Sequence, residues 1–596
     1  MEFIGVGNIM SITNQEIARI LYEIGEYLDM QGVAFKPRAY EKAAETIESL
    51  QEETTDIYKR GGLKAVEDIP GVGVSIAEKI EELIKTGRLK YYDGLKKKTP
   101  VDLSELTAVE GLGPRKIKLL YQKLGVKNLK DLERVAKTGK ISKLEGFGVK
   151  SEENILKGIE FVKKSGGRFI LGFVMPEIRM IENRLRALRG IKRAEAAGSV
   201  RRRKETIGDA DILVVIESKP PAFAKATAGK VMDYFVSMPE VVRVFAHGET
   251  KSAVKLKNGM DVDVRVLPEE SYGAALNYFT GSKDHNIALR QLAVKKRYKL
   301  SEYGLFDGKK QIAGRTEEEI YRALGLDYIE PEMREMTGEL EAAQKHTLPK
   351  LIGYKDLKGD LQVQTKWTDG SNSIEEMAEA AMAKGLEYVA ITDHTKRLAM
   401  TGGLDDKRIQ KQWEEIDGLN DKWQMANRKF RVLKSTECDI LKDGSLDLSD
   451  EILAKLDVVG VSVHSNFNLS KREQTERVKR AMKNPNVDII FHPTGRLIQR
   501  RESYEVDMGE LIKTAKETGT VMEIDAFPDR LDLKDQHIRM CVDLGVKMTI
   551  DSDAHAVNHF DVLEFGVAQA RRGWAKREDI INAWPLEKML GFLKKW

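Results

Sequence analysis

A short glycine pattern occurs three times in the first 150 residues and limits that part of the chain to one kind of local fold. Each copy reads Gly-apolar-Gly before an amphipathic helical stretch, and the copies begin at Gly71, Gly111 and Gly146. Glycine accepts a positive φ and allows close backbone approach. We therefore predict hairpins between two helices, in which the second helix offers free backbone N–H groups to an anion.

Basic charge is concentrated around the second copy. The whole chain carries a net charge of +4, from 98 Lys and Arg against 94 Asp and Glu, whereas residues 111–150 hold 11 basic and 3 acidic residues. Such a segment can neutralise phosphates, although on charge alone a solvated helix face explains it equally well. Three hairpins in one chain favour binding to the DNA backbone over plain helix turns. The predicted contacts are at Gly71, Gly73, Gly111, Gly113, Gly146 and Gly148.

Length and composition narrow the class of protein. A chain of 596 residues is long enough for roughly three to five domains. Its two cysteines exclude a disulfide framework, which favours a reducing cytoplasm. No apolar run approaches the roughly 18 residues that cross a bilayer, and residues 1–10 lack the features of an export signal. We expect a cytoplasmic protein that binds no membrane.

The hydrophobic pattern changes from helical to strand-like near residue 168. Before it, the apolar stripe of residues 14–32 predicts a helix with Asn14 as its N-cap. After it, apolar and β-branched residues at 168–174 and 211–218 predict strands. Residues 241–246 and 253–257 predict an antiparallel pair.

Further along, three stretches predict different kinds of structure. Residues 219–230, rich in Pro, Ala and Lys, predict an exposed loop or an insertion. Residues 283–325 predict helices. From residue 360 onwards, strand-like runs that end in His, Asp or Glu alternate with helical stretches. This alternation predicts an α/β barrel with its site at the carboxyl ends of the strands.

Two of the strand-like segments carry aspartates at alternate positions. Asp209 and Asp211 would point to one face of a strand, and Asp261 or Asp263 on a second strand could complete a triad. Clustered carboxylates repel unless a cation lies among them, and Mg²⁺ prefers such oxygen ligands. Two such ions can stabilise the attacking and leaving oxygens of a phosphoryl displacement. A solvated Asp-x-Asp on an edge strand is the alternative.

The segment 198–211, GSVRRRKETIGDAD, resembles the nucleotidyltransferase signature of family X DNA polymerases. The resemblance continues at 278–282 and covers roughly residues 15–325. It implies that Asp209, Asp211 and Asp263 bind two Mg²⁺ ions, and that Asp263 also takes the proton of the primer 3′-hydroxyl. The implied binding residues are Ser199, Arg202 and Gly208 for the triphosphate, Tyr278, Phe279 and Gly281 for the sugar, Asn286 for the base and Arg290 for the template side.

One position departs from this family. Asp261 stands two residues before the third aspartate, where the family has Arg. An extra carboxylate there would weaken the contact to the primer terminus or change how metal is bound.

The N-terminal part also resembles the small lyase domain of the same family. Lys79 matches the lysine that forms a Schiff base, and Lys36 and Tyr40 match residues of a DNA-binding helix. An amine that attacks a ring-opened abasic sugar must be unprotonated, which neighbouring cations favour. The alternative is that Lys79 only holds a 5′-phosphate.

The C-terminal 240 residues resemble a PHP domain, the polymerase-and-histidinol-phosphatase type of metal phosphoesterase, in segments such as TECDIL, VSVHSNF and IDSDAH. The resemblance implies up to three Zn²⁺ or Mn²⁺ ions and a bound hydroxide that attacks a phosphodiester. In bacterial polymerases of this arrangement, the domain is associated with 3′→5′ exonuclease and abasic-site endonuclease activity. The implied ligands are Asp369, His394, Glu437, His464, His492, Asp553 and His555.

The first PHP motif departs from the family. Gln362 and Gln364 replace the two histidines of a His-x-His motif, and an amide oxygen is a poorer Zn²⁺ ligand than an imidazole. At least one metal position should therefore be weak, which leaves room for one or two ions. We favour a weakened or lost nuclease, with the barrel as a structural or DNA-positioning module; slow residual hydrolysis is the other interpretation.

These observations predict a multidomain α+β and α/β protein. It has helical lyase-like and helix-hairpin-helix domains, a nucleotidyltransferase palm with a helical thumb, and a C-terminal PHP-type distorted (β/α) barrel. The predicted boundaries are 1–95 for the lyase-like domain with the first hairpin, 96–167 for the other hairpins, 168–269 for the palm, 270–335 for the thumb, 336–355 for a linker and 356–596 for the PHP domain.

The predicted function is short-gap filling in DNA repair, such as base excision repair, by a monomer that binds gapped or primer-template DNA and dNTPs. Three rivals remain. The main activity could be the PHP nuclease with the polymerase part as a DNA platform, the chain could be a non-catalytic DNA-binding scaffold, or it could add nucleotides without a template. The aspartate triad is complete whereas the histidine pair of the PHP motif is not, which argues against the nuclease as the main activity. A non-catalytic scaffold has no need of such a triad.

Overall fold

The computed structural model describes residues 12–50, 52–109, 111–216 and 221–593. The prediction about an export signal falls on residues 1–10 and lies outside this part. The chain forms two compact units that divide between Gly167 and Arg168, and Arg496–Ser503 group with the first. Across the described ranges, we find no helix with the length and apolar character that crossing a lipid bilayer requires.

The first unit is built from helices. They are α1 (Asn14–Met30), α2 (Lys36–Ser49), α3 (Thr54–Glu67), α4 (Val74–Thr86), α5 (Lys90–Lys98), α6 (Leu103–Thr107), α7 (Pro114–Leu124), α8 (Leu129–Ala136) and α9 (Val149–Ser165). Apolar stripes such as Ile17, Leu21 and Ile24 of α1 pack into one shared core.

The prediction that Asn14 caps α1 is wrong by one residue. Thr13 is the N-cap, and it forms a reciprocal capping box with Glu16. The Asn14 side chain instead accepts hydrogen bonds from the backbone and hydroxyl of Thr54, at 2.7 and 2.6 Å. Asn14 therefore joins the start of α1 to the start of α3.

The first elements of the second unit are β1 (Phe169–Ile170), α10 (Leu171–Arg186), β2 (Ile191–Ala196), α11 (Gly198–Arg201), β3 (Thr206–Ile207), β4 (Asp209–Ile216), α12 (Pro221–Val236), β5 (Val241–His247), β6 (Lys251–Leu256) and β7 (Asp261–Leu267). Five of these strands form one sheet in the order β2-β4-β7-β6-β5. The predicted antiparallel pair is confirmed, since β5 pairs with β6 in that sense.

Two predictions in this region are wrong. The strand expected at 168–174 is only two residues long, and helix α10 begins at Leu171. A short apolar run does not distinguish a strand from a buried helix, and here Val174, Ile178 and Leu185 follow the helical spacing. The loop expected at 219–230 is largely helix α12. Its alternating alanines are strong helix formers, and Pro221 lies at its first position, where proline is tolerated.

The next segment contains α13 (Tyr272–Thr280), α14 (Lys283–Lys295), β8 (Tyr298–Ser301), β9 (Gly304–Asp307), β10 (Lys310–Ala313), α15 (Glu317–Leu324) and α16 (Glu339–Gln344). The purely helical prediction for 283–325 is wrong, because β8, β9 and β10 form a three-stranded antiparallel sheet. Short turns at 302–303 and 308–309 separate these strands, which are too short to show a clear period.

The C-terminal part forms a ring of parallel strands with helices between them. Its strands are β11 (Gly359–Val363), β12 (Tyr388–Ile391), β13 (Arg431–Lys434), β14 (Glu437–Asp439), β15 (Gly460–Ser462), β16 (Ile489–Ile490), β17 (Val521–Asp525) and β18 (Met548–Asp551). Its helices are α17 (Ile374–Ala383), α18 (Asp406–Met425), α19 (Asp450–Leu453), α20 (Lys471–Met482), α21 (Met508–Thr518), α22 (Asp535–Leu544), α23 (Leu563–Arg572) and α24 (Leu586–Leu593).

These strands form two sheets, β11-β12-β13 and β14 to β18. Bridges join them on both sides, from His394 to Glu437 and from Val363 to Ala554. The strands therefore close into a distorted barrel, as predicted. Their carboxyl ends meet on one face, which is where parallel barrels place polar site residues.

Candidate active sites

Four aspartates share one face of the five-stranded sheet. β4 and β7 are parallel neighbours, and their register pairs Asp209 with Asp261 and Asp211 with Asp263. The intervening residues, such as Ala210, are buried. Since side chains alternate along a strand, the carboxylates lie on the opposite, more open face. The structure therefore brings the three predicted catalytic aspartates together.

The charge of this cluster is only partly balanced. Burial and then the charges of Asp209 and Asp263 raise the pKa of Asp211 to about 6. On β6, the Lys251 ammonium lies 2.9 Å from the Asp263 carboxylate and offsets part of the repulsion. Three hard oxygen donors that repel one another fit Mg²⁺.

Asp261, the departure from the family, pairs with a lysine. Its carboxylate lies 2.6 Å from the Lys255 ammonium, and both side chains are exposed. An exposed ion pair of this kind contributes little stability. Asp261 therefore stays accessible beside the triad.

The glycine-serine turn before the triad packs against it. Gly198 begins α11 with a φ of +62°, and a Cβ there would lie 3.4 Å from an Asp211 carboxylate oxygen. Glycine is therefore suited to this position. Ser199 follows on the same short helix and is half-buried, and Gly208 is half-buried directly before β4.

Arg202 directly follows α11 and joins it to a later segment. Its Nε donates to Glu335 Oε1 at 3.0 Å, and its Nη1 donates to the Thr280 carbonyl. A Cβ on Gly281 would approach the Arg202 guanidinium to 3.2 Å. The predicted triphosphate residue Arg202 and the predicted sugar residue Gly281 are thus direct neighbours.

The other predicted nucleotide residues form a connected group. Tyr278 is 38 % exposed and packs edge-on against Phe279, with ring centroids 5.1 Å apart. Asn286 Nδ2 donates to the Tyr278 carbonyl at 2.6 Å, and Arg290 Nε donates to the Asn286 carbonyl at 3.3 Å. The Arg265 guanidinium lies over the Phe279 ring at 4.5 Å. Arg265, two residues after Asp263 on β7, was not predicted as a site residue.

The three glycine hairpins have the same backbone geometry. The first glycines, Gly71, Gly111 and Gly146, have φ of 79°, 82° and 83°. In each turn, the residue between the glycines donates its backbone N–H to the carbonyl two residues before the first glycine, at 3.0 to 3.1 Å. The second glycines, Gly73, Gly113 and Gly148, are N-caps of α4, α7 and α9, and no described side chain caps these helices.

The lysine predicted for lyase chemistry is partly buried. Lys79 Nζ donates to the Ser75 carbonyl at 2.8 Å and lies over the Tyr91 ring at 5.2 Å. Burial lowers the pKa of Lys79, and Lys36 also lowers it, against Glu78 and Glu82. An amine that loses its proton more easily is a better nucleophile.

Tyr40 and Lys36 differ in exposure. Tyr40 is 6 % exposed, whereas Lys36 is exposed. Phe35, next to Lys36, is 93 % exposed and has a φ of +65°. An aromatic side chain held out by left-handed backbone is unusual, and no periodic sequence signal pointed to Phe35.

The predicted PHP ligands converge on the carboxyl ends of the barrel strands. Asp369, His394 and His555 form one group whose ligand atoms lie within 4.8 Å of one another, and His394, Glu437 and His464 form a second. His492 Nε2 lies 2.7 Å from Glu437 Oε1. His394 belongs to both groups, so six of the seven predicted ligands form one connected cluster.

The seventh predicted ligand, Asp553, lies beside an arginine. Arg530 Nε is 3.4 Å from one carboxylate oxygen of Asp553 and 3.4 Å from one of Asp525. His555 connects Asp553 to the rest, with Nδ1 3.9 Å from Asp553 Oδ1. A partly buried guanidinium therefore supplies positive charge at this edge of the pocket.

The two glutamines act as hydrogen-bond donors to carboxylates. Gln364 Nε2 donates to Glu437 Oε2 at 2.9 Å, and the Gln362 amide nitrogen faces the Glu523 carboxylate. Gln364 Oε1 and Asp369 Oδ1 are buried without a hydrogen-bond partner among the described residues. These orphaned oxygens fit a divalent cation, whereas the amide donors occupy carboxylate lone pairs that a full cluster would use.

Sequence reasoning missed several residues of this pocket. Asp439 lies 3.4 Å from His464 Nδ1, and Glu523 accepts from the His492 backbone N–H at 2.5 Å. Asp439 is two residues after Glu437 on β14, and Asp525 is two residues after Glu523 on β17. The alternation rule that identified the Asp209 pair would have found both. Arg530 lies in a loop, where no periodic signal exists.

Comparisons with known proteins agree with this architecture. A model of the DNA polymerase beta thumb matches residues 275–335. A helix-hairpin-helix domain model matches residues 12–89, and a SAM-like helix-hairpin-helix tandem model matches residues 103–160.

Two DNA polymerases and a probable phosphatase are similar to this chain in sequence. The chain is 37 % identical over 586 residues to the DNA polymerase/3′-5′ exonuclease PolX of Bacillus subtilis (strain 168). The matched region covers 98 % of this chain and 99 % of that protein. It is 26 % identical over 344 residues to DNA polymerase lambda of Rattus norvegicus, covering 54 % of this chain and 56 % of that one. It is also 29 % identical over 236 residues to a probable phosphatase of Thermoanaerobacter sp. (strain X514), covering 38 % and 89 %.

Proposed function

Since this chain belongs to the family X DNA polymerases, we propose that Asp209, Asp211 and Asp263 bind two Mg²⁺ ions and form its polymerase site. The register of β4 and β7 carries this proposal, because it sets the carboxylates on one face. Bound ions would stabilise the attacking and leaving oxygens of the phosphoryl transfer. Asp263 accepts the proton of the primer 3′-hydroxyl as that oxygen attacks the α-phosphate of a dNTP, and pyrophosphate leaves.

The incoming dNTP lies between α11 and the segment around Gly281. Ser199, Arg202 and Gly208 hold the triphosphate, and Tyr278 and Phe279 line the sugar beside Gly281. The contact between Arg202 and the Thr280 carbonyl supports this arrangement, because it joins the triphosphate side to the sugar side. The remaining contacts are Asn286 to the base and Arg290 to the template side.

The three hairpins bind the DNA backbone through the N–H groups that follow Gly73, Gly113 and Gly148. Their common geometry supports recognition of phosphates, which carries no sequence information. Gripping a strand on both sides of a break suits short gaps, so the proposed substrate is gapped or primer-template DNA with dNTPs. We propose that the protein acts as a monomer in the cytoplasm.

Lys79 is proposed to remove abasic sugars by forming a Schiff base with the ring-opened C1′ aldehyde. Its lowered pKa and the exposed Lys36 nearby support this role. Lys36 and Tyr40 would then hold the 5′ side of the gap.

For the barrel, we propose that Asp369, His394, Glu437, His464, His492, Asp553 and His555 hold one or two ions of the Zn²⁺ or Mn²⁺ class. The hydrogen bond from Gln364 to Glu437 supports a weakened 3′→5′ exonuclease. An exonuclease as the main activity is the second candidate function, favoured by the convergence of the histidines around Glu437.

The polymerase site is tested by Asp211→Asn, with Asp261→Asn as a matched control on the neighbouring strand. We expect Asp211→Asn to slow filling of a one-nucleotide gap by at least about a thousandfold, because metal-assisted charge stabilisation is worth several kcal/mol. Asp261→Asn should stay within a few-fold of the unaltered protein. Assays would measure extension with and without a downstream 5′-phosphate.

Two results would overturn this assignment. Undiminished gap filling by Asp211→Asn would show that the polymerase reaction takes place at another site. Faster nucleotide addition to a single strand than to gapped duplex would favour template-independent synthesis.

A further inference from the structure

The segment 198–211, which carries the nucleotidyltransferase signature, is in contact with the C-terminal barrel through buried charged side chains. Residues 202–205 follow α11, and helix α23 of the barrel ends against them with Gln569, Arg571 and Arg572 buried. Arg572 is the member of this set that reaches the signature backbone. Its side chain is 2 % exposed, which is rare for arginine and requires several polar partners.

Arg572 has three such partners. Its Nη1 donates to the Arg202 carbonyl at 3.1 Å and lies 3.2 Å from Glu335 Oε1, and its Nη2 lies 2.5 Å from Asp535 Oδ2. Asp535 begins α22 of the barrel. Arg572 therefore connects two barrel helices to the backbone of one signature residue.

The Glu335 carboxylate accepts hydrogen bonds from both Arg572 and the side chain of Arg202. Its Oε1 accepts from Arg202 Nε at 3.0 Å and from Arg572 at 3.2 Å, and Lys204 Nζ lies 3.7 Å away. The same Arg202 guanidinium donates to the Thr280 carbonyl, next to Gly281. Arg202 is thus fixed at its backbone by Arg572 and at its side chain by a carboxylate that Arg572 also holds.

From these contacts, we infer that Arg572 of the barrel is a positioning residue for the polymerase reaction, which orients Arg202 for the triphosphate of the incoming nucleotide. The inference rests on the proposed nucleotide site. It assigns to the barrel a role in nucleotide binding that is independent of its own metal pocket. Without Arg572, the Arg202 carbonyl loses a donor and Glu335 loses a buried counter-charge, so the guanidinium can leave its oriented position.

The chain offers a close control in Arg571. It is the preceding residue of α23, is also buried and also forms a charged pair, with Nε 2.8 Å from Glu332 Oε1 and Nη1 donating to the Ile352 carbonyl at 2.9 Å. Among the described residues, its ion pairs and hydrogen bonds are with Glu330, Glu332 and Ile352 and do not involve residue 202. Arg571→Gln therefore carries the general cost of removing a buried arginine from this helix.

The experiment compares steady-state gap filling by Arg572→Gln and Arg571→Gln over a range of dNTP concentrations. We expect Arg572→Gln to raise KM for dNTP by about tenfold with kcat changed by less than about threefold, since a misplaced binding group weakens binding before it affects chemistry. Arg571→Gln should leave KM for dNTP near that of the unaltered protein. Thermal melting of each variant reports loss of fold separately.

A double-variant cycle tests whether Arg572 and Glu335 both act on nucleotide binding through Arg202. Glu335→Gln should raise KM by itself, and Arg572→Gln combined with Glu335→Gln should raise it by less than the product of the two single effects, because both act on Arg202. Arg572→Lys keeps the charge near Glu335 but not the fork of donors, so it should fall between the unaltered protein and Arg572→Gln. It serves as the test if Arg572→Gln does not fold.

Equal KM values for the Arg572 and Arg571 variants would overturn the inference, as would fully multiplicative effects in the cycle. A failure of the proposed function looks different. In that case the unaltered protein would fill no gap, or Asp211→Asn would fill it normally.

Discussion

At the residue scale, the two glutamines show how one side chain changes what a pocket can bind. An imidazole offers a lone pair to a cation, whereas Gln364 offers an N–H to Glu437. The remaining histidines still surround Glu437, and burial is outweighed by their charge, which lowers the pKa of Glu437 well below its usual value. Glu437 is therefore held in its ionised form.

Restoring the histidines tests this view. The double variant Gln362→His with Gln364→His should bind more Mn²⁺ per chain and degrade a 3′ end at least about tenfold faster. The reason is that imidazole is the better transition-metal ligand, and even loss of a residue that only hydrogen-bonds to a metal ligand costs about 10–100-fold in metal affinity or activity. Metal content by elemental analysis and Mn²⁺-dependent exonuclease rates are the measurements.

The control for this change adds Asp553→Asn to the double variant, which should cancel the gain. Exonuclease activity that is already as fast with both glutamines in place would contradict a weakened pocket.

At the element scale, the hairpins were predicted well because their signal is local. A positive φ at Gly71, Gly111 and Gly146 follows from the residue type and its place before a helix. The sheet β8-β9-β10 and helix α10 were missed, since their apolar runs are short and fit either period. Whether such a run is strand or helix is decided by the surface against which it packs.

Substitutions at two glycines at opposite ends of α7 can distinguish an effect on folding stability from an effect on DNA binding. Gly111 and Gly125 have φ of 82° and 66°, and a Cβ at either meets nothing within 4 Å. Each change to Ala should therefore cost stability by roughly 1 kcal/mol through backbone strain alone. Only Gly111→Ala should weaken affinity for gapped DNA, by several-fold, because it distorts the turn that aims N–H groups at phosphate. Chemical denaturation and DNA titration at fixed salt measure the two effects; equal affinities of the two variants would argue against phosphate binding by this turn.

At the scale of the whole molecule, a buried carboxylate joins distant parts of the second unit. Glu317, at the start of α15, lies 2.7 Å from Arg201 of α11 and 2.6 Å from the fully buried Arg334. Burial opposes its ionisation, but the two guanidinium groups prevail and lower the pKa of Glu317 to about 2. The ionised form is therefore the one that the fold stabilises.

Glu317→Gln should destabilise the protein by about 3–5 kcal/mol at pH 7, since it leaves buried arginines without a counter-charge. The folded pKa lies below the unfolded value of 4.5, so the stabilisation is fully present above pH 4.5 and is lost as the pH falls towards 2. The difference between Glu317→Gln and the unaltered protein should therefore shrink on acidification. Urea unfolding at several pH values measures it.

An exposed pair provides the comparison. Glu269 pairs with Lys192 at 2.6 Å, with both side chains about half exposed. Because this pair is exposed and screened by solvent, Glu269→Gln should leave the urea unfolding midpoint nearly unchanged. A loss of the same size from both variants would show that burial of Glu317 is not the cause.

The amino-acid sequence by itself determined the features that depend on near neighbours along the chain. These are the glycine turns, the alternation that sets Asp209 and Asp211 on one face, and the alternation of strands and helices in the barrel. Tertiary structure decided which distant residues meet: Asp211 beside Asp263, Gln364 beside Glu437, and Arg572 on the backbone of Arg202. The physical reason is that a period along one element specifies a face, whereas a contact between elements depends on register, packing and the partners that a buried charge requires.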